Sequence, residues 1–208
     1  KSVTWKIIDE SESPLKFKFL TDSTAEVTKE NCVEGSVSIP SKVVIDGKTY
    51  SVVSIATYAF KNCKGLTNIT IPSSVVSIGD DAFRNCKGLT NITIPSSVVK
   101  IGTDAFANSG LTTIELPSSI TSIGFGMFKS CSDLVSVKIP SSVESIGESA
   151  FVDCTSLTNL ELSSSVETIG VMAFYGCKNL DLVIDNSEDN VEVRPQAFQN
   201  CKSVTWKK

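Results

Sequence analysis

The sequence predicts an α/β fold, a strand-rich solenoid with short helical turns and an N-terminal β cap. Three observations predict it. A motif of 22–24 residues recurs over most of the 208-residue chain, each copy alternates apolar and polar residues like a half-buried strand, and the first fifty residues depart from the motif. A unit this small cannot bury its own apolar face, so successive copies must stack. We assign residues 1–51 to a β cap with a hairpin and residues 52–208 to a solenoid of about seven coils.

A phenylalanine marks the phase of the repeat. Each copy reads approximately L-x-x-I-x-I-P-S-S-V-x-x-I-G-x-x-A-F-x-x-C-x-x, with Ile or Val five residues before the phenylalanine and, in six copies of seven, Cys three residues after it. The phenylalanines are Phe60, Phe83, Phe106, Phe128, Phe151, Phe174 and Phe198. Equivalent positions of stacked coils lie one above another, at about the 4.8 Å spacing of neighbouring strands. We therefore expect one buried phenylalanine column.

Each element of one copy follows from its residues. In residues 66–71 apolar and polar positions alternate, which predicts a strand with one buried face. Pro72 ends that strand, and the two serines after it form a bend. Residues 75–78 predict a second short extended piece, and Gly79 permits a sharp turn. Residues 81–86 leave room for about one helical turn.

One copy is shorter than the others. After Phe106 the chain reads Ala-Asn-Ser-Gly-Leu, one residue less than the equivalent stretch after Phe83, and it has no cysteine. We interpret the lost cysteine and the 22-residue interval as one deletion. Because a core strand would lose its register, the deletion must lie in a turn.

The cysteine positions belong to the repeat. The chain has seven: Cys32, Cys63, Cys86, Cys131, Cys154, Cys177 and Cys201. A free cysteine behaves as a small hydrophobic residue, so six of them predict a ladder of buried thiols. The absence of C-x-x-C argues against a zinc site. A chain of disulfides along the ladder stays open as an alternative, although stacked residues point the same way and would strain it. Cys32 lies in the cap, with unknown exposure.

Composition excludes several function classes. The chain has no histidine, which removes the commonest general base and metal ligand. Its net charge of −4 argues against a nucleic-acid partner, and no apolar run is long enough to span a membrane. G-x-S-x-G and phosphate-binding glycine clusters are absent. We therefore expect no enzyme, no catalytic residues, no cofactor and no metal.

An acidic cluster is the one metal-site candidate. It comprises Asp181, Asp185, Glu188, Asp189 and Glu192. Carboxylates bind calcium, but the cluster lacks the D-x-[DN]-x-[DN]-G loop with its distal glutamate. We interpret it as a solvated loop.

The outward positions of the main strands form the candidate binding face. They are Thr67, Asn68, Thr70, Thr90, Asn91, Thr93, Thr112, Thr113, Glu115, Ser136, Lys138, Thr158, Asn159 and Glu161. These side chains are short and polar, without the aromatic anchors that dominate binding hot spots. The face is therefore interpreted either as a solvated sheet or as a weak, broad surface for a protein or glycan. A charge gradient, basic in residues 42–108 and acidic in residues 140–193, would steer partners.

The two ends depart from the repeat. Residues 3–8, 15–20 and 37–39 predict strands, and Asp46-Gly47 between β-branched runs predicts a hairpin inserted into the first coil. Residues 204–208 predict a lysine-bearing edge strand. The string Lys-Ser-Val-Thr-Trp-Lys occurs at residues 1–6 and again at 202–207. It is interpreted as coincidence or as a sign of tandem domains.

The repeat closely resembles the leucine-rich repeats of BspA-like surface proteins, the treponemal class. The matching strings are IPSSVVSIGDDAFRNCKGLTNITIP at residues 71–95 and IPSSVESIGESAFVDCTSLTNLEL at residues 139–162, and the likeness covers about residues 52–206. It implies a right-handed leucine-rich repeat solenoid with a parallel sheet on one side. It also implies a secreted or surface-attached bacterial protein, and in some members adhesion to host matrix proteins or cells.

Two functions from different classes follow. The first is an extracellular or cell-surface adhesion protein, monomeric, that binds a host matrix or cell-surface protein or a glycan. The second is a structural spacer of a larger surface protein. The residues from Lys1 onward show no targeting segment, and we expect any such segment to lie outside them. The location is therefore an expectation from the resemblance alone.

Overall fold

The computed structural model describes residues 8–9, 15–28 and 32–207. These residues form a strand-rich solenoid of stacked coils, and a 3-10 turn at Glu188–Asn190 is the only regular helix within them. The strands are β1 (Ile8–Asp9), β2 (Lys16–Phe19), β3 (Thr24–Thr28), β4 (Gly35–Ser38), β5 (Lys42–Ile45), β6 (Lys48–Ile55), β7 (Leu66–Thr70), β8 (Ser77–Ile78), β9 (Lys100–Ile101), β10 (Thr113–Glu115), β11 (Ser122–Ile123), β12 (Ser136–Lys138), β13 (Ser145–Ile146), β14 (Asn159–Leu162), β15 (Thr168–Ile169), β16 (Asp181–Ile184), β17 (Glu192–Val193) and β18 (Ser203–Trp206).

Extended segments of successive coils form two sides of the solenoid. The front strands pair in parallel as β4–β7, β10–β12 and β14–β16–β18, and all but β4 follow a phenylalanine of the repeat. The back strands precede the phenylalanines and pair in parallel as β3–β6–β8–β9 and β11–β13–β15–β17. The parallel front sheet expected from the repeat is confirmed, but it is divided into separate pieces.

The turn that carries the phenylalanine is not helical, which corrects the expected helical turn. The residues two before and two after each phenylalanine have positive φ, between 51° and 77°. They are Tyr58, Asn62, Asp81, Asn85, Asp104, Asn108, Gly126, Ser130, Ser149, Asp153, Met172, Gly176, Gln196 and Asn200. A left-handed residue on each side of the phenylalanine breaks the run of right-handed residues that a helix requires.

This left-handed pair aligns the backbone for stacking. The N–H groups of Asp81, Phe83 and Asn85 donate to carbonyls of the next coil at 2.7–2.9 Å. The same three bonds recur at all six junctions between phenylalanine coils, at 2.7–3.2 Å, and every one runs from an N–H to a carbonyl nearer the C-terminus. We call these bonds the turn ladder. It holds all seven phenylalanine coils together without interruption.

The phenylalanine column predicted from the repeat is confirmed. Neighbouring rings from Phe60 to Phe198 stack with centroids 5.1–6.2 Å apart and planes within 21°. The five rings from Phe83 to Phe174 are fully buried. Trp206 lies edge-on against Phe198, with centroids 6.4 Å apart, at the end of the column.

The cysteine column is buried as expected, and its thiols have partners. Cys63, Cys86, Cys131, Cys154 and Cys177 are buried, Cys201 is half-buried and Cys32 is exposed, and all seven are free thiols. Each thiol from Cys86 onward donates to a phenylalanine carbonyl of the preceding coil at 3.0–3.3 Å. Burial raises the pKa of the Cys131 and Cys154 thiols, and that of Cys201 to about 12. Such thiols are poor nucleophiles.

The shorter coil corrects one interpretation. Ser109 is fully buried, and its Oγ lies 3.4 Å from the Sγ of Cys131. Its N–H bonds to the carbonyl of Phe106, as the cysteines do in their own coils. Ser109 therefore occupies the cysteine position, and the missing residue lies after it. The lost cysteine and the deletion are two separate events. The expected location in a turn is confirmed, since Leu111 and Ile114 remain buried.

The repeat glycine and serine contact the neighbouring coil. A Cβ on Gly79 would lie 2.4 Å from the backbone nitrogen of Thr57, so close approach of the coils, and not a positive φ, requires glycine there. The second serine of each Pro-Ser-Ser bend donates to a carbonyl of the preceding coil, as Ser74 does to Val52 at 2.6 Å. Both residues reinforce stacking.

At the N-terminus the predicted hairpin is confirmed. β5 and β6 pair in antiparallel fashion around Asp46 and Gly47, whose φ values of 51° and 76° suit a type I′ turn. β2 lies antiparallel to β3 at the end of the back sheet. β6 runs across the boundary placed between residues 51 and 52, so the division into cap and solenoid stays a prediction, as does the capping role.

At the C-terminus the predicted edge strand is confirmed as β18, which pairs with β16. Within the described residues no strand pairs with its other side. The first copy of the repeated Lys-Ser-Val-Thr-Trp-Lys string lies outside the described residues, so the choice between coincidence and tandem domains stays open.

Phe128→Ala tests the phenylalanine column. We expect it to lower the free energy of unfolding by about 3–5 kcal/mol, because it leaves a cavity in the middle of the stack. Phe125→Ala is the matched control, since Phe125 is exposed and three residues away, and it should cost less than about 1 kcal/mol. Denaturant unfolding measures both. Equal effects of the two substitutions would contradict the column.

Gln196→Gly and Gln199→Gly test the left-handed positions. Gln196 has φ 60°, whereas Gln199, three residues on and equally exposed, has no positive φ. Glycine removes the left-handed penalty of about 1–2 kcal/mol at residue 196, but only adds chain entropy to the unfolded state at residue 199. We therefore expect stabilisation by Gln196→Gly and destabilisation by Gln199→Gly, each of roughly 0.5–1 kcal/mol. The same sign at both positions would contradict the assignment.

Candidate functional site

The front strands carry the face that the sequence predicts as a binding surface. We call it the strand face and define it by the fourteen residues given above. All fourteen are exposed, while the residues between them, such as Ile69, Ile92 and Ile114, are buried. The predicted alternation is therefore confirmed. A role in binding stays a prediction.

Parallel register arranges the strand face in columns. Thr113 lies beside Ser136 and Glu115 beside Lys138 across β10 and β12. Because neighbouring coils place equivalent residues side by side, the structure brings the predicted residues of successive coils together into one surface. Their side chains do not converge on a single point, as catalytic groups do.

Sequence reasoning missed several members of this surface. Val135 is 46% exposed and occupies the column of Thr112. Asp181 pairs with Asn159, and beyond it Ser203 and Thr205 extend the columns onto β18. Continuing the repeat register would have found them, but the coil that contains Leu180 has one residue fewer before its strand, which hides the alignment.

The strand face has a neutral half and a charged half. From β12 onward its charges are paired: Lys138 donates to Glu115 at 2.5 Å, Lys207 donates to Glu161, and Lys202 donates to Asp181 at 2.6 Å. The Lys202 bond lowers the pKa of the Asp181 carboxyl, and the bond to Glu161 raises the pKa of Lys207. The predicted residues before Glu115 are all threonine or asparagine. This half offers uncharged donors and acceptors.

Two grooves cross the strand face where the front sheet is interrupted. One, of about 440 Å³, lies between residues 91–96 and β10 with Pro117. The other, of about 480 Å³, lies between β12 and β14. Residues 89–94 are not part of a regular strand. Both grooves therefore lie where neighbouring front segments are not joined by strand pairing.

A polar ladder follows the turn edge, and sequence reasoning also missed it. Asp81 Oδ1 accepts from Arg84 at 2.9 Å and lies 3.2 Å from Lys61 Nζ, while Arg84 also reaches Asp104 Oδ2 at 3.3 Å. Partial burial raises the pKa of the Asp104 carboxyl, and the Asp81 bond raises that of Arg84. Asn85 bonds to its equivalents one coil before and after, Asn62 and Asn108, at 2.7 Å. The asparagines occupy equivalent positions in successive repeats, as do Asp81 and Asp104. Comparing equivalent positions of the repeat could therefore have revealed the ladder.

The acidic cluster is not assembled into one site. Asp181 begins β16 at the front and is bonded to Lys202 and Ser203. Glu192 lies in β17 at the back and pairs with Arg194 at 2.8 Å. Among the described residues no three acidic or cysteine side chains stand close enough to hold a metal ion together. Over the same part of the chain, no helix has the length and apolarity needed to cross a bilayer.

Comparison with known proteins identifies the family to which the repeat belongs. The model of the BspA type leucine rich repeat region matches residues 53–181 and 88–205, in six copies. A comparison with curated proteins gives no match.

Three solved structures are similar over most of this chain. The T. pallidum leucine-rich repeat protein TpLRR is 32% identical, with a TM-score of 0.74, over 92% of this chain and 82% of its own. A leucine-rich cell surface protein from Faecalibacterium prausnitzii A2-165 is 32% identical, with a TM-score of 0.66, over 86% and 58%. The pneumococcal vaccine antigen PcpA is 28% identical, with a TM-score of 0.68, over 85% and 48%. This chain thus spans about half the length of the last two. Together, the repeat match and the likeness to TpLRR show that the chain belongs to the BspA-type leucine-rich repeat family.

Proposed function

We propose that this chain is a non-enzymatic binding module of a surface-exposed or secreted protein, and that its strand face mediates adhesion to a protein or glycan partner. One observation carries the proposal. Fourteen polar side chains are exposed on one face, and each is next in sequence to a buried residue, so the face can vary without disturbing the core. Stability and binding are thereby separated along the same strands.

Family membership supports this class of role. Proteins of the leucine-rich repeat family generally serve as binding scaffolds. Of the similar structures, one is described as a cell surface protein and another as a vaccine antigen. We extend the surface location to this chain by analogy, with a host matrix or cell-surface protein as the partner. The proposal includes that the protein acts as a monomer.

The second candidate is a spacer that holds other domains away from a surface. The observation that favours it is the composition of the strand face, which has no tryptophan, tyrosine or arginine anchor among its fourteen residues. A face of this kind binds weakly one copy at a time. Many copies on one surface would multiply that weak binding, which keeps adhesion the preferred function.

Replacing Asn68, Asn91 and Asn159 by lysine tests the proposal. The triple variant should keep its stability, since exposed substitutions usually change it by about 0.5 kcal/mol or less each. Three new charges on the face should nevertheless reduce the adhesion of protein-coated beads to host matrix at least several-fold. Bead adhesion and denaturant unfolding measure the two effects.

A matched control places three lysines elsewhere. Thr57, Thr103 and Thr121 are exposed and uncharged but lie outside the strand face, so their triple lysine variant should adhere like the parent. Equal adhesion of both variants would remove the strand face as the binding site. A parent that adheres to no surface would favour the spacer.

A further inference from the structure

The backbone of the front strands is open at the groove between residues 91–96 and β10, as it also is between β12 and β14. Thr112 donates its N–H to the carbonyl of Thr90 at 3.0 Å, and this is the last backbone bond between the two segments. The N–H groups of residues 91–94 donate to no backbone acceptor. On the other side of β10 the ladder continues, since Leu116 donates to Lys138 at 3.1 Å. The front strands therefore diverge at this groove and leave backbone polar groups for water or a ligand.

The lining of this groove is part polar and part apolar, and it carries no free charge. Asn91, Thr93, Ser96 and Thr113 contribute amide and hydroxyl groups, and Glu115 contributes a carboxylate. That carboxylate already accepts a bond from Lys138 at 2.5 Å, so its charge is compensated. Asn91, Thr93 and Thr113 make no side-chain hydrogen bond within the described residues, so their donors and acceptors remain available to a ligand.

The second groove provides an internal comparison. Lys138, Glu161 and Asp185 line it, so it is charged, and it is about as large. Lys138 and Glu161 are paired there with Glu115 and Lys207, whereas Asp185 has no ion pair among the described residues. An unpaired carboxylate therefore distinguishes the second groove from the first. Its volume of about 440 Å³ suits a small ligand and not a protein surface.

The chemistry of the groove points to a ligand with many hydroxyl groups and no charge. A sugar hydroxyl both donates and accepts, as do the asparagine amide and the threonine hydroxyls that line the groove. A protein partner would instead be expected to place an aromatic or arginine anchor against a complementary pocket, and the lining offers no free charge for an arginine. Its apolar residues, Pro117 and the largely buried isoleucines, leave a mixed surface of the kind that the alternating C–H and hydroxyl groups of a sugar can contact.

We propose that this groove binds a sugar residue of a neutral glycan, with Asn91, Thr93 and Thr113 as its polar contacts. This inference rests on the proposed function of the strand face. It names the chemical class of partner that one part of the face recognises. Backbone groups of residues 91–94 supply further contacts, and glycan chains on a coated surface supply the multiplicity that a weak site requires.

A glycan microarray and an NMR titration test the proposal with the whole chain. We expect binding to neutral glycans on the array. Titration with lactose, maltose, cellobiose and N,N′-diacetylchitobiose should identify a binding sugar that shifts the amide signals of residues 91–94 and 113–116. Thr93→Val combined with Thr113→Val should lower its affinity about tenfold or more, because each variant removes one hydroxyl and keeps the shape.

A matched pair on the same face is the control. Thr67→Val combined with Thr70→Val lies on β7, outside this groove, and should leave the affinity unchanged. No binding to any neutral glycan, binding to anionic glycans alone, or equal loss in both double variants would overturn the proposal. Chemical shifts at β12 and β14 instead would assign the sugar to the other groove and also overturn it.

Enzymatic removal of glycans from the coated matrix separates this inference from the proposed function. We expect adhesion of parent beads to fall after the treatment. Undiminished adhesion would reject the glycan site while the strand face still binds protein. If parent beads adhere to neither the untreated nor the glycan-depleted matrix, the adhesive function itself is rejected.

Discussion

The backbone turn around each phenylalanine is the constraint on which the rest of the solenoid depends. A left-handed residue on either side of the ring directs three N–H groups of every coil toward the next coil, at 2.7–3.2 Å. That ladder continues through all phenylalanine coils, whereas the front and back sheets are both interrupted. The phenylalanine and cysteine columns and the serine bonds repeat because this turn sets one spacing for all of them. The strand face has a different role. Its exposed side chains can vary because the turn ladder, and not these side chains, joins the coils.

The bonds of the turn ladder all run in one direction, whereas bonds of the back strands, such as that from the Gly79 N–H to the Ile55 carbonyl, run in the other. The N–H groups of the turn ladder all point toward the C-terminus and its carbonyls toward the N-terminus. Residues 140–193, which carry ten acidic residues against one lysine, lie toward the N–H end, and residues 42–108, with seven basic residues against four acidic, lie toward the carbonyl end. At the last coil the N–H groups of Gln196, Phe198 and Asn200 reach no further backbone acceptor within the described residues.

The features that the sequence predicts correctly are those fixed by period and turn chemistry. The phenylalanine column follows from a 23-residue spacing, and the hairpin follows from Asp46-Gly47. The prediction of a helical turn was wrong. Asparagine favours the left-handed conformation and so indicates it at Asn62, Asn85 and Asn108, but Tyr58 and Met172 take the same conformation although their residue types do not indicate it. The position of the deletion relative to Ser109 was predicted wrongly. The sequence alone does not locate a deletion within a short turn, whereas the burial of Ser109 does. The exposed residues of the strand face follow from alternation. The grooves between the front strands could not be predicted, because they depend on how far neighbouring coils diverge and not on any residue within one coil.

Native-state hydrogen exchange tests the central claim that the turn ladder holds the stack while the front strands open between residues 90 and 96. The amides of Phe83, Phe106 and Phe128 should exchange only through unfolding of the stack, since each is bonded to the next coil. Those of residues 91–94 should exchange orders of magnitude faster, because local opening costs far less than unfolding the stack. Equal protection of the two sets, or faster exchange at the phenylalanines, would contradict the account.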